Sequence, residues 1–176
     1  MDKRPLAAEG LSIEIDGQIQ IGALRYCAPV EGEAALRRVT GSGVPEARRA
    51  VLCTGAQGGE SVSLLWRSPS ETLVASASAA PLAALAAQLA SATQACLVDQ
   101  SGGFWALRIT GSRCTDLLVR LGATTAVPRL GESLPGRLAE LTVLSACVRE
   151  HEVLLLVERL YADHLLGWIR ETIADF

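Results

Sequence analysis

The sequence predicts an α+β fold in which antiparallel strand hairpins carry helices packed on the sheet. Short segments of β-type patterning recur along the chain, and three times a pair of them is followed by an amphipathic helical segment. Hairpins make neighbouring strands antiparallel, and the helices that follow can cover the apolar face of the sheet. With 176 residues, 49% of them hydrophobic, the chain is long enough to bury a substantial core.

The first strands are expected near the N-terminus. Residues 11–15 read LSIEI and alternate apolar with polar side chains, and residues 18–24 resume the alternation. Asp16-Gly17 stands between them and is a strong two-residue turn signal. These segments therefore predict an N-terminal hairpin.

The stretch that follows predicts a short helix and a loop. Residues 33–39 suit a helix, and residues 40–45 read TGSGVP, which ends it. We therefore expect an N-terminal hairpin and linker lobe over residues 1–60. The main α+β lobe is expected over residues 61–176, with the two lobes forming one compact unit.

The main lobe is predicted as three successive strand–strand–helix units. Their strands are expected over residues 61–67 and 72–77, 95–100 and 104–110, and 137–149 and 153–158. Pro81 opens the first helix, where its missing N–H costs nothing. Ser112 is a good N-cap for a second helix over residues 113–121, Gly122 suits its end, and a third helix is expected over residues 160–173. Residues 122–136, with two prolines and three glycines, are predicted as a long loop.

Composition excludes several classes of function. The net charge of −3 disfavours a nucleic-acid-binding protein, which needs a clustered basic face. The apolar run at residues 153–157 is far shorter than the ~20 residues of a membrane-spanning helix. No apolar stretch follows the charged residues 2–4, so no secretory signal is recognised and a cytoplasmic protein is expected. The glycine-rich segments 55–59 and 102–103 lack the spacing of a nucleotide-binding loop, and turns are the expected structure.

The cysteines support neither a zinc site nor a dithiol redox motif, because no CxxC pair is present. The five cysteines are Cys27, Cys53, Cys96, Cys114 and Cys147. The last three sit inside apolar patterns and are predicted to be reduced thiols in the core.

Two acid–base candidates are weighed against simpler roles. Asp163 and His164 are neighbours on the last predicted helix, where adjacent side chains point about 100° apart, so a surface or partner-facing histidine is favoured over a dyad. His151 is placed in a solvated turn. Asp99 is the one acid in an apolar strand; it is either a buried carboxylate with a raised pKa or, as we favour, an acceptor for backbone N–H groups of the turn that begins at Ser101.

The tryptophans are predicted to pack in the core. Trp66, Trp105 and Trp168 each fall near the core-facing pattern of an element. Tryptophan is also enriched at protein interfaces, so an interface role for Trp168, or for Phe176, is the alternative.

Residues 64–176 carry motifs that resemble one family. Residues 65–74 read LWRSPSETLV, a strand, a Pro-Ser-Glu turn and a second strand. Asp99 and Ser101 follow, then the strand-to-helix sequences ALRITG at 106–111 and DLL at 116–118, and finally YADHLLGW at 161–168. In order and spacing this part of the chain resembles the gamma subunit of heterotetrameric sarcosine oxidase and of related multi-subunit amine dehydrogenases.

The same segments are more distantly similar to the folate-binding region of glycine-cleavage aminomethyltransferases. That similarity implies an aminomethyltransferase-like fold. Those enzymes carry a catalytic aspartate just before the first strand of the region, where this chain has Ser61-Val62-Ser63. They also carry a folate-contacting glutamate in a glycine-rich hairpin, where this chain has the short turn 150–152 without glycines.

The resemblance implies an accessory subunit with no catalytic, cofactor-binding or metal-binding residue of its own. It implies alpha, beta and delta subunits as partners, with FAD, FMN, NAD, tetrahydrofolate and zinc held by them. A stand-alone folate-binding module, with Asp99 or Glu152 as its carboxylate, is a second hypothesis. A small α+β enzyme using His164 or a cysteine is a third.

Overall fold

The computed structural model describes residues 5–54, 60–123 and 125–176, and within them the chain forms two antiparallel sheets and four α-helices, an α+β fold as predicted. The strands are β1 (Leu6–Ala8), β2 (Leu11–Asp16), β3 (Gln20–Tyr26), β4 (Ala50–Thr54), β5 (Ser61–Ser68), β6 (Glu71–Ser76), β7 (Ala95–Asp99), β8 (Phe104–Thr110), β9 (Glu132–Leu138), β10 (Leu141–Arg149) and β11 (Glu152–Glu158). The helices are α1 (Pro29–Thr40), α2 (Ala80–Gln88), α3 (Cys114–Arg120) and α4 (Ala162–Ile173). None of the described helices is long and apolar enough to span a membrane.

The chain divides into two units that do not follow the predicted lobes. One unit comprises Met1–Gly17 and Gly102–Phe176, and the other comprises Gln18–Ser101. The predicted boundary at residue 60 therefore falls inside the second unit. The N-terminal strands belong with the C-terminal half of the chain because β2 pairs with β8, not with its neighbour in sequence.

The first unit is a six-stranded sheet in the order β1-β2-β8-β11-β10-β9. Ile13 lies opposite Ile109, which lies opposite Val153, so one row of apolar side chains crosses β2, β8 and β11. These residues are buried in one core with side chains of α3 and α4. The helical contributors to that core are Leu117, Leu118, Leu165, Leu166 and Ile169.

The second unit is a five-stranded sheet in the order β4-β5-β6-β3-β7. Its core includes Leu24 and Leu64 from the sheet, Leu36 from α1 and Leu85 from α2. Pro81 stands in the first turn of α2, as predicted. α1 is longer than predicted: it runs from Pro29 to Thr40. Gly41 caps its end, with a φ of +76° that lets its N–H reach the carbonyl of Arg37.

The predicted N-terminal hairpin is wrong. β2 lies in the first sheet and β3 in the second, where β3 pairs with β6 and β7. The predicted pairing of the strands on either side of residues 101–103 fails in the same way, because β7 and β8 belong to different sheets. Alternation indicates that one face of a strand is buried. It does not specify which strand lies beside it, because any antiparallel neighbour with the same alternation continues the same buried face.

The strand predicted over residues 137–149 is two strands. β9 and β10 form a hairpin whose turn is made by Ala139 and Glu140, at φ values of +46° and +65°. Two consecutive residues of positive φ make a turn whose twist matches that of the flanking strands. Neither is the glycine or asparagine that usually marks such a turn, which is why the sequence pattern did not reveal it. β9 also occupies the end of the predicted long loop.

The ends of the last two helices differ from prediction. Arg113, not Ser112, occupies the N-cap position of α3, and no side chain caps the helix there. Gly122 follows α3 with φ +83°, as predicted for a residue just past a helix end. The last predicted helix begins as a 3₁₀ turn, Arg159–Tyr161, before α4.

Candidate functional site

Asp99 holds the turn that follows β7. Its Oδ1 accepts hydrogen bonds from the Ser101 backbone N–H at 2.9 Å and from the Ser101 hydroxyl at 2.7 Å. These two bonds, the backbone one first, lower the pKa of the exposed Asp99 carboxyl. The turn-binding interpretation is confirmed, and the alternative of a buried carboxyl with a raised pKa is wrong.

The two histidines lie in separate surroundings. His164 is exposed on α4, and its Nε2 accepts a hydrogen bond from Nε1 of Trp168 at 3.1 Å. His151 lies in the β10–β11 turn with φ +56°, and its carbonyl accepts the N–H of Gly111 at 2.9 Å. His151 is exposed, as the sequence predicts for this turn.

Glu152, the other candidate folate carboxylate, is engaged in an ion-pair network. Its Oε1 accepts hydrogen bonds from Arg108 and, at 3.3 Å, from Arg149. The Glu152 side chain is 14% exposed. Both arginines therefore pair with the same carboxylate oxygen of Glu152.

The cysteines fall into two classes. Cys53, Cys114 and Cys147 are buried, whereas Cys27 and Cys96 are exposed. The prediction of a core position is correct for Cys114 and Cys147 and wrong for Cys96, whose side chain lies on the open face of an edge strand. Burial, with a smaller contribution from Cys147, raises the pKa of Cys114 to about 11, and burial also raises that of Cys147.

We expect these classes to separate in a thiol titration. At mildly alkaline pH, Cys27 and Cys96 should react rapidly with Ellman's reagent, and the three buried thiols only when the chain unfolds, because the reagent cannot reach a buried sulfur. In guanidinium chloride all five should react. The change Cys27→Ser should remove one of the two rapid equivalents, and a second rapid thiol in that variant would contradict the assignment.

One cavity in the second unit is lined by both of the exposed cysteines. It has a volume of about 470 Å³ and is lined by the ends of β3 and β7 and the β5–β6 turn. Cys27 and Cys96 both line it, together with the Arg25–Glu71 ion pair, in which Nε and Oε2 are 2.8 Å apart. Among the described residues no group of three or more histidine, cysteine or acidic side chains is arranged to hold a metal ion.

Glu31 of α1 fixes the segment that enters β7 beside this cavity. Its carboxylate accepts the backbone N–H of Gln94 at 2.7 Å and that of Thr93 at 3.1 Å. The Gln94 hydrogen bond is the largest cause of a lowered pKa for Glu31. No sequence motif marks this clamp, because its partners are 62 and 63 residues away.

The Glu31 clamp should make stability depend on pH in the acid range. Since folding lowers the Glu31 pKa, ionised Glu31 stabilises the native state above its ordinary pKa of 4.5, and this contribution is lost as the pH falls through the lower folded-state value. Glu31→Gln should therefore melt earlier than wild type at pH 7, with the gap closing in acid. Glu46→Gln, at an exposed turn position, serves as the control. A gap that stays constant down to pH 3 would refute the clamp.

Three large hydrophobic side chains are exposed on α4 and on the 3₁₀ turn before it. Trp168 is 53% exposed, Tyr161 43% and Leu160 83%, so the predicted core position of Trp168 is wrong. Trp105, by contrast, is buried in the core of the first unit. Trp168 lines a cavity of about 260 Å³ in that unit. The sequence alternative of an interface role for Trp168 stays a prediction.

Phe176 lies between two arginines. The Arg113 guanidinium carbon is 3.9 Å from the ring centroid, and that of Arg120 is 4.7 Å from it. Both distances are within the range of a cation–π contact. The ring is thus engaged within its own unit.

Comparison with known proteins adds the fold relationships. No family model matches the sequence, and no curated protein matches it. Among solved structures, a chain of heterotetrameric sarcosine oxidase from Corynebacterium sp. U-96, in complex with pyrrole 2-carboxylate, is similar with a TM-score of 0.79 and 20% identity, over 97% of this chain and 87% of that one. The glycine cleavage system aminomethyltransferase T from Bartonella henselae is similar with a TM-score of 0.73 and 8% identity, over 91% of this chain and 45% of that one. At these identities the likeness shows the fold, and the aminomethyltransferase-like fold implied by the sequence resemblance is confirmed.

Proposed function

We propose that this chain is a non-catalytic accessory subunit, of the gamma type, in a flavin-dependent complex that oxidatively demethylates sarcosine or a related secondary amine. The observation that carries the proposal is the near-complete correspondence, in both directions, with a chain of a heterotetrameric sarcosine oxidase. A match along nearly the whole of both chains favours an equivalent subunit over a single domain that two otherwise unrelated proteins share.

The geometry of the candidate residues agrees with a structural role. Of the two carboxylates that a folate site would use, Asp99 accepts hydrogen bonds from its own turn and Glu152 is paired with two arginines. In this proposal the alpha, beta and delta subunits are the partners. They hold FAD, FMN, NAD, tetrahydrofolate and zinc, while this chain binds none of them and acts in the cytoplasm.

Co-purification tests the proposal. Expressed with the proteins encoded beside it, the chain should elute at fixed stoichiometry in a yellow complex that oxidises sarcosine or a similar amine. Expressed alone, it should be colourless. A chain that never enters a flavin-containing complex would refute the accessory-subunit proposal.

The second candidate is a folate-binding module, which the fold shared with an aminomethyltransferase favours. It requires the isolated chain to bind tetrahydrofolate, which titration calorimetry measures directly. Tight binding that is weakened by Glu152→Gln would replace the first proposal with this one. The chain spans less than half of the aminomethyltransferase, so the rest of such an enzyme would have to come from another protein.

A further inference from the structure

The two exposed cysteines lie on the same face of two paired strands. Tyr26 at the end of β3 and Ala95 at the start of β7 face each other, and both are buried in the core of the second unit. Because side chains alternate along a strand, Arg25, Cys27 and Cys96 point away from that core. Both thiols are exposed, and both line the cavity of about 470 Å³.

The register of the two strands fixes the spacing of these cysteines. Cys96 lies opposite Arg25. The N–H of Cys27 donates to the carbonyl of Gln94 at 2.9 Å and continues the ladder, so Cys27 lies opposite Gln94. Cys27 and Cys96 are therefore diagonal neighbours, and the Cα atoms of such neighbours are about 7–8 Å apart in an antiparallel sheet. The backbone ladder holds this separation, which side-chain rotation cannot change.

This separation is too long for a disulfide and suits a bridge through a metal ion. A disulfide needs Cα atoms roughly 4.4–6.8 Å apart, so a direct bond between the sulfurs would require the strands to move. Two metal–sulfur bonds of about 2.3 Å can hold the sulfurs up to about 4.6 Å apart, instead of the roughly 2 Å of a disulfide. A metal ion can therefore join the two sulfurs while the ladder stays as it is.

The number of available ligands selects the kind of ion. Thiolates favour soft ions, of which Cu(I) and Zn(II) are the common ones in proteins. Zinc sites use three or four protein ligands. In the described part of the chain, no group of three or more histidine, cysteine or acidic side chains is arranged to hold a metal ion. Cu(I) accepts two thiolates in a near-linear arrangement, so it is the ion that a pair of cysteines suits.

The charge beside the thiols favours such a complex. Arg25 and Glu71 line the same cavity. Glu71 pairs with Arg25 at 2.8 Å and with Arg67 at 2.7 Å, so the three side chains together carry one net positive charge. A Cu(I) ion held by two thiolates carries one net negative charge, which this cluster attracts.

We propose that Cys27 and Cys96 form a two-coordinate site for Cu(I), which Arg25 stabilises by its charge. Binding converts two thiols and one Cu(I) ion into a bis-thiolate complex and releases two protons, and no atom changes its oxidation state. Both cysteines belong to the second unit, so the isolated chain carries the whole site. The proposal therefore does not depend on the accessory-subunit proposal, and the family resemblance does not imply it.

Competition for Cu(I) tests the site. The reduced full-length chain is titrated, in the absence of oxygen, into the coloured complex of Cu(I) with bicinchoninate, and the loss of colour measures transfer of the ion. Wild type should take up one Cu(I) per chain. Cys27→Ser and Cys96→Ser should each weaken binding by about a hundredfold or more, since loss of even an outer partner of a metal ligand costs about 10–100-fold.

The buried thiols provide the control. Cys53, Cys114 and Cys147 are buried and remain in every variant. The double variant Cys27→Ser/Cys96→Ser should therefore keep the wild-type circular dichroism spectrum and leave the ion with bicinchoninate. Binding by the double variant that is as tight as in wild type would place the ion at another thiol and overturn the proposal. A wild-type chain that takes no Cu(I) from bicinchoninate would also overturn it.

Mixing the two single variants distinguishes a bridge within one chain from a bridge between chains. Each variant keeps one thiol of the pair, so an equimolar mixture of Cys27→Ser and Cys96→Ser should bind Cu(I) no better than either variant alone. Recovery of the wild-type affinity in the mixture would show that the thiolates come from different chains, and would overturn the site within one chain.

X-ray absorption spectroscopy of the copper-loaded chain tests the coordination. Cu(I) should have two sulfur neighbours, and a spectrum that requires three or four ligands would overturn the two-coordinate site. Arg25→Gln should weaken binding by about tenfold because it removes a charge beside the complex, whereas Arg25→Lys should retain most of the affinity. Equal losses in these two variants would overturn the role given to the Arg25 charge.

Discussion

Replacing Gly111 by alanine should destabilise the chain by about 3 kcal/mol or more. Gly111 connects β8 to α3 with φ +124°, a conformation outside even the left-handed helical region that other residues sometimes adopt. A Cβ there would also overlap the carbonyl group of Gly10, which approaches from the β1–β2 turn. Backbone strain and overpacking each cost about 1–3 kcal/mol, and neither can relax without separating the two turns.

Urea denaturation monitored by circular dichroism would measure the effect, and the chain provides a matched control. Gly167 lies inside α4, and a Cβ added there meets nothing within 4 Å. Gly167→Ala should therefore stabilise the chain by about 0.5–1 kcal/mol, since alanine loses less backbone entropy in a helix. If Gly111→Ala changed the free energy of unfolding in the same direction and by the same amount as Gly167→Ala, close approach at Gly111 would not be the reason for glycine there.

The sequence was sufficient to locate most strands and helices, because each has a local cause. Alternation marked β2 and β3, Pro81 marked the start of α2, and Gly122 marked the end of α3. Which strands pair with each other has no such local cause. β2 pairs with β8, about 95 residues away, and nothing in residues 11–16 specifies that strand as its neighbour.

The candidate site shows the same division. Asp99 was correctly interpreted because its partners are two residues away. The exposure of Cys96 was missed because its apolar neighbours resemble a buried strand, whereas β7 lies at an edge of its sheet. Glu31 was missed because its hydrogen-bond partners come from the distant segment that enters β7. Strand order, a property of the whole chain, decides which side chains reach solvent.

Leu24→Ala should have the second large effect, a loss of about 3–5 kcal/mol. Leu24 lies on β3, is fully buried, and belongs to the core formed by the second sheet with α1 and α2. A Cβ added at Gly32 of α1 would be 3.4 Å from its Cδ2, so the helix backbone already lies against this side chain. Because close contact on both sides prevents collapse, the substitution should leave a cavity and incur both the transfer and the cavity cost.

The same substitution at Leu160 is the control. Leu160 is 83% exposed, and Leu160→Ala should change the free energy of unfolding by no more than about 0.5 kcal/mol. The comparison also tests the placement of β3, because an N-terminal hairpin with β2 would put Leu24 against the first sheet and away from α1. In the observed fold, Gly32→Ala adds a methyl group on α1 beside the space left by Leu24→Ala, so it should recover part of the lost free energy of unfolding. The same change should have a smaller effect in wild type. If the effects of the two substitutions simply added in the double variant, Leu24 and α1 would not share a core.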